Sequence, residues 1–197
     1  MTNSLQDALC GYKVILASGS PRRRDFFSSL GIEFTTTSPD VDESYPPSLS
    51  HQEIPRYLSL IKARAVKLSH DNEIVITADT IVCTDDYVLG KPSSRDDAIR
   101  IIRELSGKTH NVITGVTIRS TGKEMTFHCT TSVTFDTIEE KDILYYVDRF
   151  SPMDKAGAYA IQEWIGEIGI TQINGSYHNV VGMPMAQLYS ALKTFVE

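Results

Sequence analysis

Near the start of the chain, Ser18-Gly19-Ser20-Pro21-Arg22-Arg23-Arg24 combines two hydroxyls, a flexible glycine and a run of guanidinium groups. The segment stands where an apolar run gives way to a helical pattern. A helix N-terminus presents unsatisfied N–H groups and the positive end of the helix dipole, so it is a place to hold an anion. The serines add donors for phosphate oxygens, and arginine grips phosphate through paired hydrogen bonds. A capped helix with solvated arginines would account for Ser20 and Pro21. It would not explain cations crowded into a first turn whose dipole opposes them. The segment therefore reads as a phosphate grip.

Two carboxylates and two lysines could work with it. Asp79, in Ala78-Asp79-Thr80, is embedded in the apolar stretch Ile74–Cys83. An ionised carboxylate there needs a cation, a metal or a proton. It could hold Mg²⁺ or take a proton from water, or it could cap a turn at a strand end. Glu43, in Asp40-Val41-Asp42-Glu43, is either a second carboxylate for a metal or a solvated loop acid. Lys62 interrupts an apolar helical face. Lys91 lies in Gly90-Lys91-Pro92, where the bond to proline favours an extended backbone and aims the side chain. Each lysine reads either as an anion ligand or as surface charge. Other phosphate and acyl chemistries are unsupported: there is no GxxxxGK[ST] loop, no GxGxxG after the first apolar run, and no GxSxG or Cys/His pair. The five histidines are scattered, and no CxxC or HxxxH spacing marks a zinc site.

The elements that must position these residues follow from periodicity. Lys13–Ser18 is a continuous apolar run that predicts a buried strand. A helix follows with Ser20 as N-cap, Pro21 at its first position, Phe26, Phe27 and Leu30 inward, and Gly31 as its stop. Residues 38–52, rich in proline and acids, form a loop. Ile54, Tyr57, Leu58, Ile61, Ala65 and Leu68 recur at helical spacing. Glu73–Cys83 is strand-like, with a short hairpin over Asp85-Asp86. A helix from about Ser94 to Leu105, capped by Gly107, precedes two long strands at about 109–119 and 123–136. In the second of these, Met125, Phe127, Cys129, Val133 and Phe135 alternate with Thr126, His128, Thr130, Ser132 and Thr134, which describes a sheet with one buried face. A helix over about 139–149, a loop through Ala156-Gly157-Ala158 and an extended region lead to a last helix opened by Pro184. Leu188, Leu192 and Phe195 turn inward on it.

Whole-chain properties set the outer bounds. The 197 residues carry 19 Lys+Arg against 25 Asp+Glu, a net charge of −6, which argues against binding nucleic-acid polymers but not against a local basic pocket. No apolar stretch approaches the ~20 residues that span a bilayer, and the N-terminus lacks the basic start of a signal peptide. Cys10, Cys83 and Cys129 are odd in number and far apart, as suits reduced thiols in the cytoplasm. The chain reads as one α/β domain over residues 1–197, a strongly twisted mixed sheet flanked by helices, with a substrate cleft between two lobes. Residues 1–11 read as a loose N-terminal extension. Tyr145, Tyr146 and Phe150 are candidate exposed aromatics that would fit a homodimer surface.

Taken in order, several pieces resemble the Maf family of nucleoside triphosphate pyrophosphatases. They are SGSPRR (Ser18–Arg23), the VDE acid Glu43, Lys62 in IKARA, ADT with Asp79 and Thr80, and GKP with Lys91. Leu105–Val116, Asp154–Gln162 and Ile173–Pro184 continue the match. The resemblance implies a Maf/ITPase-like fold and hydrolysis of a nucleotide to its monophosphate and pyrophosphate. It implies phosphate binding by Ser18, Arg22, Arg23, Lys62 and Lys91, to which the Ser20 hydroxyl adds a donor by its own chemistry. A divalent metal, Mg²⁺ or Mn²⁺, would be held by Glu43 and Asp79, with Asp79 also as the general base. The AYAIQ segment is similar to the branch acting on dTTP and UTP, in which Arg22, Thr80 and Gln162 are tied to substrate choice. Gln162 suits that role chemically, since its amide offers a donor and an acceptor to the O4 and N3–H edge of uracil or thymine. The chain departs from the branch after IQ, where glycine is common and Glu163-Trp164 stands here. Alternative expectations are a 7-methyl-GTP pyrophosphatase of the same family and a non-catalytic nucleotide-binding regulator of cell division.

Overall fold

The computed structural model describes residues 1–197. Fifteen labelled elements follow in chain order, beginning with α1 (Ser4–Ala8), β1 (Lys13–Ala17), α2 (Pro21–Ser29), β2 (Phe34–Thr37), α3 (Glu53–Ala65) and β3 (Glu73–Cys83). Then come β4 (Val88–Leu89), α4 (Arg95–Leu105), β5 (Thr109–Arg119), β6 (Glu124–Phe135) and α5 (Glu140–Phe150). A 3₁₀ turn at Ala156–Ala158 precedes α6 (Trp164–Gly169), β7 (Ile170–Asn174), α7 (Tyr177–Val181) and α8 (Met185–Val196). The strands form one seven-stranded mixed sheet in the order β2-β1-β3-β5-β6-β7, with β4 paired to β3. Strand β1 runs parallel to both neighbours, with Val14 opposite Phe34 and Ile74, whereas β4 and β7 are antiparallel to their partners. The mixed α/β fold is thus the expected one.

The chain forms two compact units. One comprises Met1–Asp79, Thr114–Cys129 and Gly182–Glu197; the other comprises Thr80–Ile113 and Thr130–Val181. Each has its own core. In the first unit Leu16, Phe27, Ile74, Ile76, Val116, Ile118, Leu188 and Leu192 are fully or almost fully buried, so the inward faces expected of α2 and α8 are the ones used. In the second, Ile102, Leu105, Val133, Phe135, Ile143 and Tyr146 pack together. The alternation expected in β6 holds where Thr131, Val133 and Phe135 are buried between half-buried neighbours.

The structure departs from expectation in three places. Residues 4–8 are not loose: Asn3 caps α1, its side chain accepting from Leu5 and Gln6 N–H, while Leu5 and Leu9 enter the core. The signal was short, one capping box and two leucines, and tertiary burial makes it hold. Helix α3 ends at Ala65 rather than near Leu68. Arg119 donates to the carbonyls of Ala63 and Val66, both at 3.0 Å, so the last turn's acceptors are met from β5. Tyr146 is wholly buried and Phe150 half-buried, and of the three expected surface aromatics only Tyr145 is half exposed. The inward stripe of α5 is Ile143, Tyr146, Val147 and Phe150, at the i, i+3, i+4, i+7 spacing of a packed face.

Helix α3 is held close to the sheet by Gly115 on β5. A Cβ there would sit 2.2 Å from the carbonyl carbon and oxygen of Pro55 and 2.4 Å from the amide nitrogen of Arg56, all backbone atoms. Gly115→Ala must push helix and strand apart. It is expected to destabilise the fold by about 2 kcal/mol, read as a lower urea midpoint at unchanged slope.

Candidate active site

The site is built on two periodicities that meet. On α3, Ser59 and Lys62 are three residues apart and share a face; on β3, Thr77 and Asp79 are two apart and share a face. The Thr77 hydroxyl donates to the Ser59 carbonyl at 2.6 Å, and the Ser59 hydroxyl bonds that of Thr117 at 3.0 Å. These buried bonds fix the helix against the strand. One step further along, Lys62 Nζ meets Asp79 Oδ1 at 2.5 Å. Asp79 is only 9% exposed, so the partner its burial demands is this ammonium. Lys62 also reaches Glu43 Oε1 at 2.9 Å, drawing the acid of the 38–52 loop to the same cation.

Arg23 stands beside this group. Its Nη1 donates to the carbonyl of Ala78 at 2.7 Å and its Nε to the carbonyl of Gly182 at 2.9 Å. Burial lowers its pKa, and Arg22 lowers it further, against the opposing pull of Asp79 and Glu43. Arg23 therefore braces the residue before Asp79 as well as supplying positive charge. Ser20 occupies the N-cap position of α2, but its hydroxyl makes no capping bond; instead its backbone N–H donates to Ser18 Oγ at 3.2 Å. The hydroxyl of Ser20 thus does not satisfy the first-turn N–H groups it was expected to cap.

Ser18, Ser20, Arg22, Arg23, Glu43, Lys62 and Asp79 all belong to the first unit, and four of them form the Arg23–Asp79–Lys62–Glu43 cluster. Thr80, Lys91 and Gln162 belong to the second. Thr80 follows Asp79 on β3, so its side chain points to the opposite face of the strand. Lys91 is exposed just beyond β4, and Gln162 is exposed between buried Ile161 and half-buried Glu163. Sequence reasoning missed Ser59 and Thr77, although polar residues in step with Lys62 and Asp79 were a usable signal. It also missed the carbonyls of Ala78 and Gly182, which carry no side-chain signal at all.

No three His, Cys, Asp or Glu side chains cluster as a ready metal cage. Glu43 and Asp79 nevertheless converge on one cation, the Lys62 ammonium. Two hard carboxylate oxygens suit Mg²⁺ or Mn²⁺, which complete their shells with water and substrate phosphate rather than a full protein cage. The residues present fit such an ion.

The sequence model of the family described as Maf-like protein matches residues 13–195. The chain belongs to that family. Maf-like relatives match over nearly their whole length. One from Bacteroides thetaiotaomicron is 50% identical over 184 residues, covering 92% of this chain and 95% of the relative. One from Porphyromonas gingivalis is 45% identical over 195 residues, covering 97% and 98%. One from Flavobacterium johnsoniae is 45% identical over 193 residues, covering 98% and 100%. Each of the three is named dTTP/UTP pyrophosphatase. The Maf-like SGSPRR and ADT segments are the ones that supply Arg23 and Asp79 to the cluster. No helix is long and apolar enough to cross a membrane, and no disulfide joins the three cysteines.

Proposed function

We propose that this chain is a nucleoside triphosphate pyrophosphatase acting on dTTP and UTP, working in the cytoplasm. The observation that carries the reading is the buried Asp79 carboxylate paired with Lys62, with Glu43 on the same ammonium and Arg23 bonded to the carbonyl of the preceding Ala78. Turnover needs a group that takes a proton from water, whereas nucleotide binding alone does not. The names of the relatives, which cover most of the chain at 45–50% identity, support the substrate class.

In this mechanism Asp79 accepts a proton from the attacking water. The oxygen bonds to the α-phosphorus while the bond from that phosphorus to the bridging oxygen breaks, releasing pyrophosphate and the monophosphate. Arg22, Arg23, Lys62 and Lys91, with the hydroxyls of Ser18 and Ser20, bind the phosphates and stabilise the charge that moves onto the leaving group. Glu43 and Asp79 would hold a divalent metal, which when bound neutralises part of the triphosphate charge. Gln162 reads the base edge with its amide, and Arg22 and Thr80 take part in substrate choice.

A nucleotide panel with pyrophosphate detection, run with Mg²⁺ and with Mn²⁺, tests the reading. dTTP and UTP are expected to be cleaved at least tenfold faster than the purine nucleotides, the discrimination a lost base hydrogen bond supplies. A preference for 7-methyl-GTP would overturn the substrate assignment. Binding of UTP with no pyrophosphate released under either metal would leave a nucleotide-binding regulator instead.

A further inference from the structure

Glu163, one of the two residues that depart from the expected pattern after IQ, has a specific set of partners within the second unit. Its Oε2 accepts from the hydroxyl of Tyr146 at 2.5 Å, and its Oε1 lies 3.4 Å from Lys155 Nζ. The same Tyr146 hydroxyl accepts the backbone N–H of Ala160 at 3.2 Å. Lys155, 9% exposed, also pairs with Asp154 at 2.8 Å. The N–H of Glu163 donates to the Ala160 carbonyl at 3.1 Å, closing a turn over Ile161 and Gln162. Both ends of that turn are therefore fastened to one buried phenol. Ile161 points inward, 7% exposed, and Gln162 is left at the exposed tip.

Such a network is a poor way to gain stability. Desolvating a lysine, a carboxylate and a phenol largely offsets their mutual attraction, and well-packed apolar side chains would serve as well. What a fully bonded polar network does impose is one geometry. Burial, and then the bond to Glu163, hold the Tyr146 phenol protonated, so it stays a donor at any working pH. A glycine at position 163 would offer neither the acceptor for the phenol nor the partner for Lys155. Beyond the turn, a Cβ on Gly166 would lie 2.0 Å from the Ile161 carbonyl oxygen, so the start of α6 is packed directly against the turn's backbone.

We propose that Glu163 is a positioning residue for base recognition, clasping the Ala160–Glu163 turn to Tyr146 and Lys155 so that the Gln162 amide is presented in one orientation. The assignment rests on the reading of Gln162 as the group that meets the pyrimidine edge. A hydrogen-bonding site discriminates through the geometry of its donor and acceptor, so loosening the turn blurs the base preference without touching the phosphate chemistry.

The test uses Glu163→Ala, Tyr146→Phe and the conservative Glu163→Gln, which keeps an acceptor for the phenol. Glu163→Ala and Tyr146→Phe are each expected to raise KM for dTTP and UTP about tenfold at a kcat within twofold of wild type. GTP turnover is expected to stay unchanged, so that selectivity falls by the same factor. Glu163→Gln is expected to recover selectivity to within about threefold. Hydrogen exchange at the Ala160 amide should accelerate in the first two variants and not in the third. An equal loss for every nucleotide, a fall in kcat at constant KM, or no rescue by glutamine would each overturn the clasp. Wild-type protein with no dTTP or UTP turnover would overturn the substrate reading instead; unchanged exchange at Ala160 would then overturn the clasp by itself.

Discussion

Asp79→Asn is expected to cut turnover by about 100-fold or more while nucleotide still binds. Asparagine keeps the volume and an acceptor oxygen but can neither take a proton nor carry charge. Asp79 is 9% exposed on β3, so bulk water has little room to take over its role. Lys62 retains Glu43 at 2.9 Å, and Arg23 retains the carbonyls of Ala78 and Gly182, so the variant leaves no buried cation without a partner. The side chains that bind phosphate are untouched, and Glu43 and the asparagine oxygen remain for the metal, which is why affinity is expected to survive. Pyrophosphate release gives kcat and calorimetric titration with UTP gives Kd. Near-normal turnover would remove Asp79 from the role of base; loss of binding alongside turnover would make it a structural partner of Lys62.

The second large effect concerns acid stability and involves no catalytic group. His110 on β5 is 1% exposed, wedged edge-on between Phe135 and Tyr159, with ring centroids 5.3 Å and 5.4 Å away. Its Nε2 is 2.7 Å from the Tyr159 hydroxyl and its Nδ1 has no hydrogen-bond partner. Burial lowers its pKa to about 4, and burial pushes the Tyr159 phenol well above its usual range, so the pair is neutral in the folded protein. In the unfolded chain the imidazole binds a proton near pH 6.5. Between about pH 6.5 and 4 the unfolded state therefore holds more protons, and stability is lost as pH falls through that window. The loss reaches about 3 kcal/mol at pH 4 and levels off below it, where both states are protonated. His110→Gln keeps a partner for Tyr159 and does not titrate. Urea unfolding at pH 7 and pH 4 should show wild type losing about 3 kcal/mol more than the variant; equal losses would mean that the imidazole is already charged in the fold.

Local patterns identified the elements and the chemical demands of their residues. Strand β1, the start of α2 and the inward face of α8 follow from spacing alone, because one face of an element is fixed by a period of two or 3.6. The run at Ser18–Arg24 raised the expectation of an anion site by placing cations where a helix dipole repels them, and Asp79 announced a partner by standing in an apolar strand, which Lys62 supplies. The same logic failed at Tyr146, where a short window showed an aromatic cluster but not which of its members lay on the packed stripe. It failed at residues 4–8, where five helical residues are too few to predict without the core that buries Leu5.

By itself the sequence determined the Maf-like family, the α/β class and the residue types of the proposed site. Only the tertiary structure decided that Asp79 is answered by Lys62, which Glu43 shares, that Arg23 braces Ala78 and Gly182, and that Glu163 is tied to Tyr146. The reason is that a periodicity states which face a residue occupies, not which element covers that face. That second fact depends on how α3 is seated on β3, a register set by Ser59, Thr77 and the missing side chain of Gly115. Those contacts join residues 18 to 60 positions apart, where local spacing carries no information.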